Sequence, residues 1–274
     1  MQFITLNNGI EMPQLGFGVW QVPDDEVTPA VEKALEVGYR SIDTAKVYEN
    51  ERGVGKAIAN SGVSREKLFI TTKVWNSDQG YDNTLKAFDE SLEKLGLNYI
   101  DLYLIHWPTP EFDDYVDTYK AIEKLYNDGK VRAIGVCNFN MEHLQRILDE
   151  CDVVPAVNQV ECHPYLQQNE LKEFCRQNNI YLEAWSPLMQ GGEVLNNEII
   201  KDIAEKHSKT PAQVIIRWHL QNGSIVIPKS VTPSRIEQNF DVFDFELSSD
   251  DMENIKSLNR DERKGPEPSE MNVR

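Results

Sequence analysis

The sequence predicts an α/β fold, a (β/α)8 barrel of the TIM type with an N-terminal β-hairpin and extra helices. Three observations predict it. From Leu15 onward, short apolar runs alternate with polar-faced helical stretches eight times. The runs are continuously apolar, as strands buried on both faces are. The chain has 274 residues with no Pro/Gly/Ser-rich linker and no low-complexity block, a length that one barrel uses up. An open doubly wound sheet shares the alternation, but its usual sign is GxGxxG after the first strand. Here Gly16-Phe17-Gly18 and Gly53-Val54-Gly55 both lack the third glycine, and no GxxxxGK[ST] occurs. The expected layout is one domain over residues 1–274, with the hairpin in 1–13 and a polar, irregular tail in 259–274.

Taken in order, Phe3 to Leu6 and Ile10 to Met12 pair around Asn7-Asn8-Gly9, whose Asn-Gly step suits a hairpin turn. Leu15 to Gly18 begins the barrel. The stretch from about Asp25 to Val37 sets Val27, Ala30, Val31, Ala34 and Leu35 on one face of a 3.6-residue period. Strands are then expected at Arg40–Asp43, Leu68–Val74, Ile100–Ile105, Val131–Val136, Val157–Val160, Ile180–Trp185 and Ser224–Ile227. Helices are expected at Glu51–Asn60, Asn83–Leu95, Tyr115–Asn127, Met141–Asp149, Gln168–Asn178, Glu198–His207, Ala212–Gln221 and Pro233–Phe240. Thr210-Pro211 supplies an N-cap followed by proline at the first helical position. The extra helix Ser248–Leu258 starts at Ser248 or Ser249, with Asp250 and Asp251 in its first turn.

Lys plus Arg is 28 against 45 Asp plus Glu, a net charge of −17. Phosphate backbones and anionic membrane surfaces both require basic protein surface, so neither nucleic acid nor membrane is an expected partner. No apolar run approaches a membrane span, and the start Met1-Gln2-Phe3-Ile4-Thr5 reads as no signal peptide. Cys137, Cys151, Cys162 and Cys175 form no CxxC pair and are expected as reduced, buried thiols in a cytoplasmic protein. The expected oligomeric state is a monomer.

Groups just past the C-terminal ends of barrel strands share one rim. Asp43 ends the second strand, Tyr48 lies in the loop after it, Lys73 is near the end of the third, and His106 ends the fourth. A free phenol has a pKa of about 10; a nearby ammonium would lower it, and a carboxylate would keep that ammonium charged. A histidine would aim a hydrogen bond at a carbonyl oxygen. Together these make a proton donor, its tuning shell and an electrophilic orienter. Each residue alone has an ordinary structural reading; all four at consecutive strand ends point to chemistry. Trp20, Trp75 and Trp107, each following a strand at this rim, suggest an aromatic substrate wall beside His106. His143, His207 and His219 fall on helices without ligand-like spacing, and no metal site is expected.

The stretches Gly38-Tyr39-Arg40-Ser41-Ile42-Asp43-Thr44-Ala45 with Tyr48, Thr71-Thr72-Lys73-Val74-Trp75, Leu102-Tyr103-Leu104-Ile105-His106-Trp107-Pro108 and Ile227-Pro228-Lys229-Ser230-Val231 resemble the aldo-keto reductases. The similarity runs from the first hairpin to beyond Leu258. Within the family the chain most resembles small bacterial members that reduce glyoxal and methylglyoxal, and those acting on 2,5-diketo-D-gluconate. Leu182-Glu183-Ala184-Trp185-Ser186-Pro187-Leu188-Met189-Gln190-Gly191 and Asp261-Glu262-Arg263-Lys264-Gly265-Pro266 favour the first group.

The resemblance implies an NADPH-dependent reductase of small carbonyl compounds. Asp43, Tyr48, Lys73 and His106 match the catalytic tetrad, with Tyr48 as proton donor. Asn138, Asn158 and Gln159 match positions near the nicotinamide carboxamide. Trp185 matches the aromatic that stacks on the nicotinamide, with Ser186 and Leu188 following it. Lys229, Ser230, Arg235, Gln238 and Asn239 match the adenosine and 2′-phosphate site, where an arginine fork near a helix N-terminus suits a phosphate monoester. Cys137 stands where many relatives carry serine; a thiol is the weaker hydrogen-bond partner, which leaves Asn138 as the firmer contact. His163 is family-typical but reads as structural. The loops after His106 and Trp185 are short, which implies an open pocket. Two alternatives remain: reduction of 2,5-diketo-D-gluconate, and a nucleotide-binding regulatory subunit with little turnover. The intact tetrad and the lack of an extra interaction segment argue against the second.

Overall fold

The computed structural model describes residues 1–274. Strands β1 (Phe3–Thr5) and β2 (Glu11–Pro13) pair antiparallel, with Ile4 opposite Met12. Eight strands follow in a parallel sheet whose spatial order is the chain order: β3 (Phe17–Gly18), β4 (Ser41–Asp43), β5 (Phe69–Val74), β6 (Ile100–Ile105), β7 (Val131–Cys137), β8 (Val157–Glu161), β9 (Tyr181–Trp185) and β10 (Ile225–Val226). The sheet closes on itself. Leu15 bridges Val226 in parallel, Val226 N donates to Gln14 O at 3.0 Å, and Gly18 N donates to Pro228 O at 3.1 Å. The first and last strands are shorter than the apolar runs that encode them, because ladder bonding there is limited to this closing seam.

Helices α1 (Asp24–Val37), α2 (Glu51–Asn60), α3 (Tyr81–Leu95), α4 (Tyr115–Asn127), α5 (Met141–Glu150) and α6 (Asn169–Gln177) each return the chain to the next strand. Two helices, α7 (Glu198–His207) and α8 (Pro211–Gln221), separate β9 from β10, and α9 (Pro233–Phe240) and α10 (Ser249–Lys256) follow. The predicted caps are built. Thr210 Oγ1 accepts from Gln213 N at 3.3 Å, and Ser248 Oγ accepts from Asp251 N at 3.2 Å, which settles the start of α10 on Ser248. Helix-facing strand residues and the inner helix faces form the main core, including Ile42, Ile70, Tyr103, Ile105 and Ile134. The glycines of Gly53-Val54-Gly55 serve helix packing: a Cβ on Gly55 would lie 2.4 Å from the Leu95 carbonyl oxygen, at the end of α3.

The hairpin plugs one end of the barrel. Leu6 and Met12 join inward-facing Phe69, Leu102, Leu104, Ala133 and Val157 in a separate buried cluster. Asn8 Nδ2 donates to Arg132 O at 2.9 Å and Asn7 Nδ2 to Pro155 O at 3.0 Å, at the strand starts. The open rim is therefore the one at the strand ends, where the ionisable residues stand.

The four cysteines are free; Cys137, Cys162 and Cys175 are buried and Cys151 is half-buried. Residues 259–274 contain no helix or strand, yet they are tied across the open rim rather than trailing from it.

Candidate active site

Parallel pairing sets Asp43 opposite Thr71, one inward-facing step before Lys73. The Lys73 ammonium is fully buried. Its three N–H groups go to Asp43 Oδ1 at 2.6 Å, Thr44 O at 2.9 Å and Tyr48 Oη at 3.4 Å. Tyr48 reaches that position because a single 3-10 turn, Lys46–Tyr48, follows β4. Asn50 pins this loop from below: its Oδ1 accepts from Thr44 Oγ1 at 2.7 Å, and its Nδ2 donates to Val19 O and Val22 O at 2.9 Å each. His106 packs edge-on against both Tyr48 and Trp75, with ring centroids 5.6 Å and 5.2 Å apart. The structure thus brings together the four ionisable residues singled out in the sequence. It adds Thr44 and Asn50, which carried no signal beyond being polar residues in a loop.

The electrostatics differ from the expectation in one respect. Burial raises the Tyr48 phenol above its ordinary range, and the Lys73 charge offsets only part of that. The net direction is up, not down, because the ammonium is already committed to Asp43. Burial is the largest influence and disfavours the Lys73 ammonium, but the Asp43 carboxylate, together with Tyr48 and Cys137, outweighs burial and holds the group above its ordinary value. His106 is pushed well below the ordinary imidazole range by burial and then by Lys73, so it is neutral at pH 7.

On β8, consecutive side chains face opposite ways. Gln159 points into the barrel, where its Nε2 donates to Asp43 Oδ2 at 2.7 Å and to Glu183 Oε2 at 2.9 Å. Its Oε1 accepts from the Cys137 thiol at 3.5 Å. Asn158 points the other way and is spent on Phe139, donating to its carbonyl at 2.9 Å; it does not join the site. Asn138 follows directly on β7. With φ of 59°, a left-handed backbone that asparagine tolerates, it donates to His106 O at 3.0 Å and accepts from Trp185 Nε1 at 2.8 Å. Ser186, also left-handed at φ 47°, turns the chain at the end of β9, and Leu188 packs back on the core.

Lys229 and Arg235 flank the start of α9, exposed, and neither takes part in an ion pair, although the chain carries a net charge of −17. Ser230 Oγ accepts from Thr232 N at 3.1 Å and shapes the turn into that helix. Gln238 is exposed on the same helix and Asn239 is buried beneath it. Of the rim tryptophans, Trp107 is buried, Trp75 half-buried and Trp20 exposed.

The tail adds to one side of the rim a wall that the short loops do not supply. The Glu161 carboxylate, at the end of β8, accepts from Lys264 N and Gly265 N at 2.8 Å each, and pairs with His163 Nε2 at 3.0 Å. His163 is therefore a structural group, part of a clamp on the tail. Beyond the clamp, Asn140 Nδ2 donates to Glu267 Oε1 at 3.0 Å, Glu111 N to Asn272 Oδ1 at 3.0 Å, and Asn76 Nδ2 to Val273 O at 2.7 Å. The tail so crosses the ends of β8, β7, β6 and β5 and walls one side of the rim. Two of the remaining histidines have local partners, His143 Nδ1 accepting from Asn140 N at the start of α5 and His207 pairing with Asp251, while His219 is buried with neither ring nitrogen bonded.

The profile of the aldo/keto reductase family matches residues 13–260. The chain belongs to the aldo/keto reductase family. It is 57% identical to glyoxal reductase of Bacillus subtilis (strain 168) over 98% of this chain and 96% of that protein. It is 53% identical to methylglyoxal reductase DkgA of Escherichia coli (strain K12), over 97% of each chain. A crystal structure of a Gox0644 mutant in complex with NADPH superposes with a TM-score of 0.95 at 51% identity, covering 98% of each chain. This aldo/keto reductase is an oxidoreductase built on the barrel its sequence predicts.

Proposed function

We propose that this aldo/keto reductase is an NADPH-dependent carbonyl reductase for small aldehydes and α-dicarbonyls such as glyoxal and methylglyoxal. The observation that carries the reading is the Lys73 ammonium, bonded at once to Asp43, Thr44 and Tyr48 beside a neutral His106. The residues present fit the cofactor. Lys229 and Arg235 are cations without protein partners in a strongly acidic chain, as a 2′-phosphate requires. Ser230, Gln238 and Asn239 lie beside them for the adenosine. Trp185, held by Asn138, offers a flat face for the nicotinamide, with Ser186, Leu188 and Gln159 around it. Bound there, NADPH supplies the hydride to the carbonyl carbon.

The chain's own residues then manage the oxygen. Tyr48, kept protonated at neutral pH by burial, holds the proton that the developing alkoxide takes. Lys73 stabilises the negative charge left on the phenol, and Asp43 keeps Lys73 charged and aimed. Neutral His106 offers a ring N–H to the same oxygen, and Asn138 fixes the His106 backbone. Trp20, Trp75 and Trp107 give apolar walls rather than bonds to sugar hydroxyls, and an α-dicarbonyl brings its own electrophilicity. The four free thiols support a cytoplasmic setting. No helix is long and apolar enough to cross a membrane. The net charge of −17 supports action without nucleic acid. The exposed large hydrophobics are scattered over separate elements, which supports a monomer. A panel of carbonyls with NADPH or NADH, followed by nicotinamide absorbance, tests the proposal. Methylglyoxal and glyoxal should exceed glucose and 2,5-diketo-D-gluconate in kcat/KM, with NADPH preferred. A preference for either sugar-derived compound moves the substrate assignment, and a preference for NADH removes the role of Arg235.

A further inference from the structure

We infer that Glu183 is a positioning residue for the reduction, holding Gln159 and, through it, Asp43 from the far side of the barrel interior. The inference rests on the reading of Asp43, Tyr48 and Lys73 as the reacting centre.

Glu183 lies in the middle of β9, opposite Gln159 of β8 on one side and Ile225 of β10 on the other. Its side chain is wholly buried. Glu183 Oε2 accepts one N–H of Gln159 and Asp43 Oδ2 accepts the other. The Gln159 amide is thereby fixed in both directions, with its oxygen toward Cys137. Asp43 Oδ1 in turn receives Lys73, and Lys73 reaches Tyr48. Glu183, Gln159, Asp43, Lys73 and Tyr48 form one unbroken chain of hydrogen bonds across five elements. The second Glu183 oxygen, Oε1, is buried without a hydrogen-bond partner.

A carboxyl group at this place has a particular consequence. The titratable groups that act on one another here are Asp43 from β4, Tyr48 from the turn after it, Lys73 from β5 and Cys137 from β7; Gln159 and Ile225 on the flanking strands are uncharged. One ammonium already balances one carboxylate. A second ionised carboxylate would leave uncompensated charge in the interior, which is strongly unfavourable. Burial first, and the Asp43 charge second, push the Glu183 carboxyl up to about 8. At pH 7 it is a neutral acid that accepts from Gln159 through one oxygen and keeps its proton on the other. Above that pH it ionises and adds negative charge to the Asp43–Lys73 pair. The added charge makes phenolate at Tyr48 harder to form. Alcohol oxidation, which starts from phenolate at Tyr48, is then held back at alkaline pH.

The test compares wild type with Glu183→Gln and Glu183→Leu. Glu183→Leu leaves one Gln159 N–H unpaired and lets Asp43 drift; kcat for methylglyoxal reduction should fall about tenfold or more, the scale of a small misplacement at a reacting centre, with KM changed far less. Glu183→Gln restores an acceptor and should recover most of that loss, while removing from the pH profile of alcohol oxidation the alkaline ionisation expected of wild type. Infrared spectra of the NADPH-free proteins provide a readout apart from turnover. Wild type at pH 7 should show the carbonyl band of a buried protonated carboxyl, absent from Glu183→Gln. If Glu183→Leu fails to fold, the profile and the infrared band decide alone. An unchanged oxidation profile in Glu183→Gln, or no protonated carboxyl in wild type, overturns the inference. Neither outcome touches the Tyr48 assignment, which has its own variant, Tyr48→Phe.

Discussion

At the residue scale, the site works by dividing labour among a few charges. Lys73 is saturated by Asp43, Thr44 and Tyr48, so it steadies the phenol without taking its proton at rest. Arg235 is the opposite case, an exposed cation with nothing to pair with. Arg235→Ala should weaken NADPH binding by about 1.5 kcal/mol or more, the worth of a hydrogen bond to a charged group, and leave NADH binding nearly unchanged. Parallel fluorescence titrations check this; equal losses for both cofactors contradict it. The tetrad was legible in the sequence because strand-end positions are set by topology, and topology was readable from the apolar runs. The direction of the Tyr48 shift was not legible, because it depends on how deeply the ring is buried and on what else the ammonium contacts. Nor was the idleness of Asn158, which follows from strand alternation once Gln159 is known to face inward. Thr44, Asn50 and Glu183 were missed for a related reason: the contacts that tie them to the site, with Lys73, Val19 and Val22, and Gln159, are distant in sequence and only the fold joins them.

At the element scale, most strands and helices lie within a residue or two of the stretches that apolar periodicity and caps mark out. The main departure is the tail, where composition describes the segment as polar and irregular and is right about both. What composition lacks is the Glu161 clamp, which binds two backbone N–H groups about a hundred residues away in sequence and seats Gly265 against Trp185. A Cβ on Gly265 would lie 2.5 Å from Trp185 Cη2 and 3.1 Å from Glu161 Oε2. Gly265→Ala should therefore unseat either the tail or the indole, at about 1–3 kcal/mol as for other overpacked contacts. Limited proteolysis of the tail and NADPH titration should both respond. A variant with a protected tail and unaltered NADPH affinity would show that the contact has slack. At the other end, Met12 seals the barrel floor with no exposed surface. Met12→Ala should lower unfolding free energy by about 2–5 kcal/mol in denaturant titration, with kcat of the folded enzyme retained, since the plug lies opposite the rim.

At the scale of the whole molecule, stability should depend on pH through groups buried in their neutral forms. His219 on α8 is buried with neither ring nitrogen bonded, and burial holds it well below the ordinary imidazole range. As pH falls through about 6.5, the unfolded chain binds a proton there that the native protein refuses. Stability present at neutral pH is then lost toward acid, at about 1.4 kcal/mol per pH unit for that proton. His219→Phe removes the uptake, so the difference in melting temperature between variant and wild type should move in favour of the variant between pH 6.5 and pH 5. A constant difference would mean that His219 is charged or solvated in the native state. The central claim concerns function, that NADPH-dependent carbonyl reduction here draws its proton from Tyr48. The most direct measurement is kcat for methylglyoxal with NADPH in a folded Tyr48→Phe protein, alongside its NADPH affinity. The predicted result is a fall of about 10²–10⁴-fold, the range of general acid catalysis, with NADPH affinity kept. Turnover close to that of wild type would contradict it.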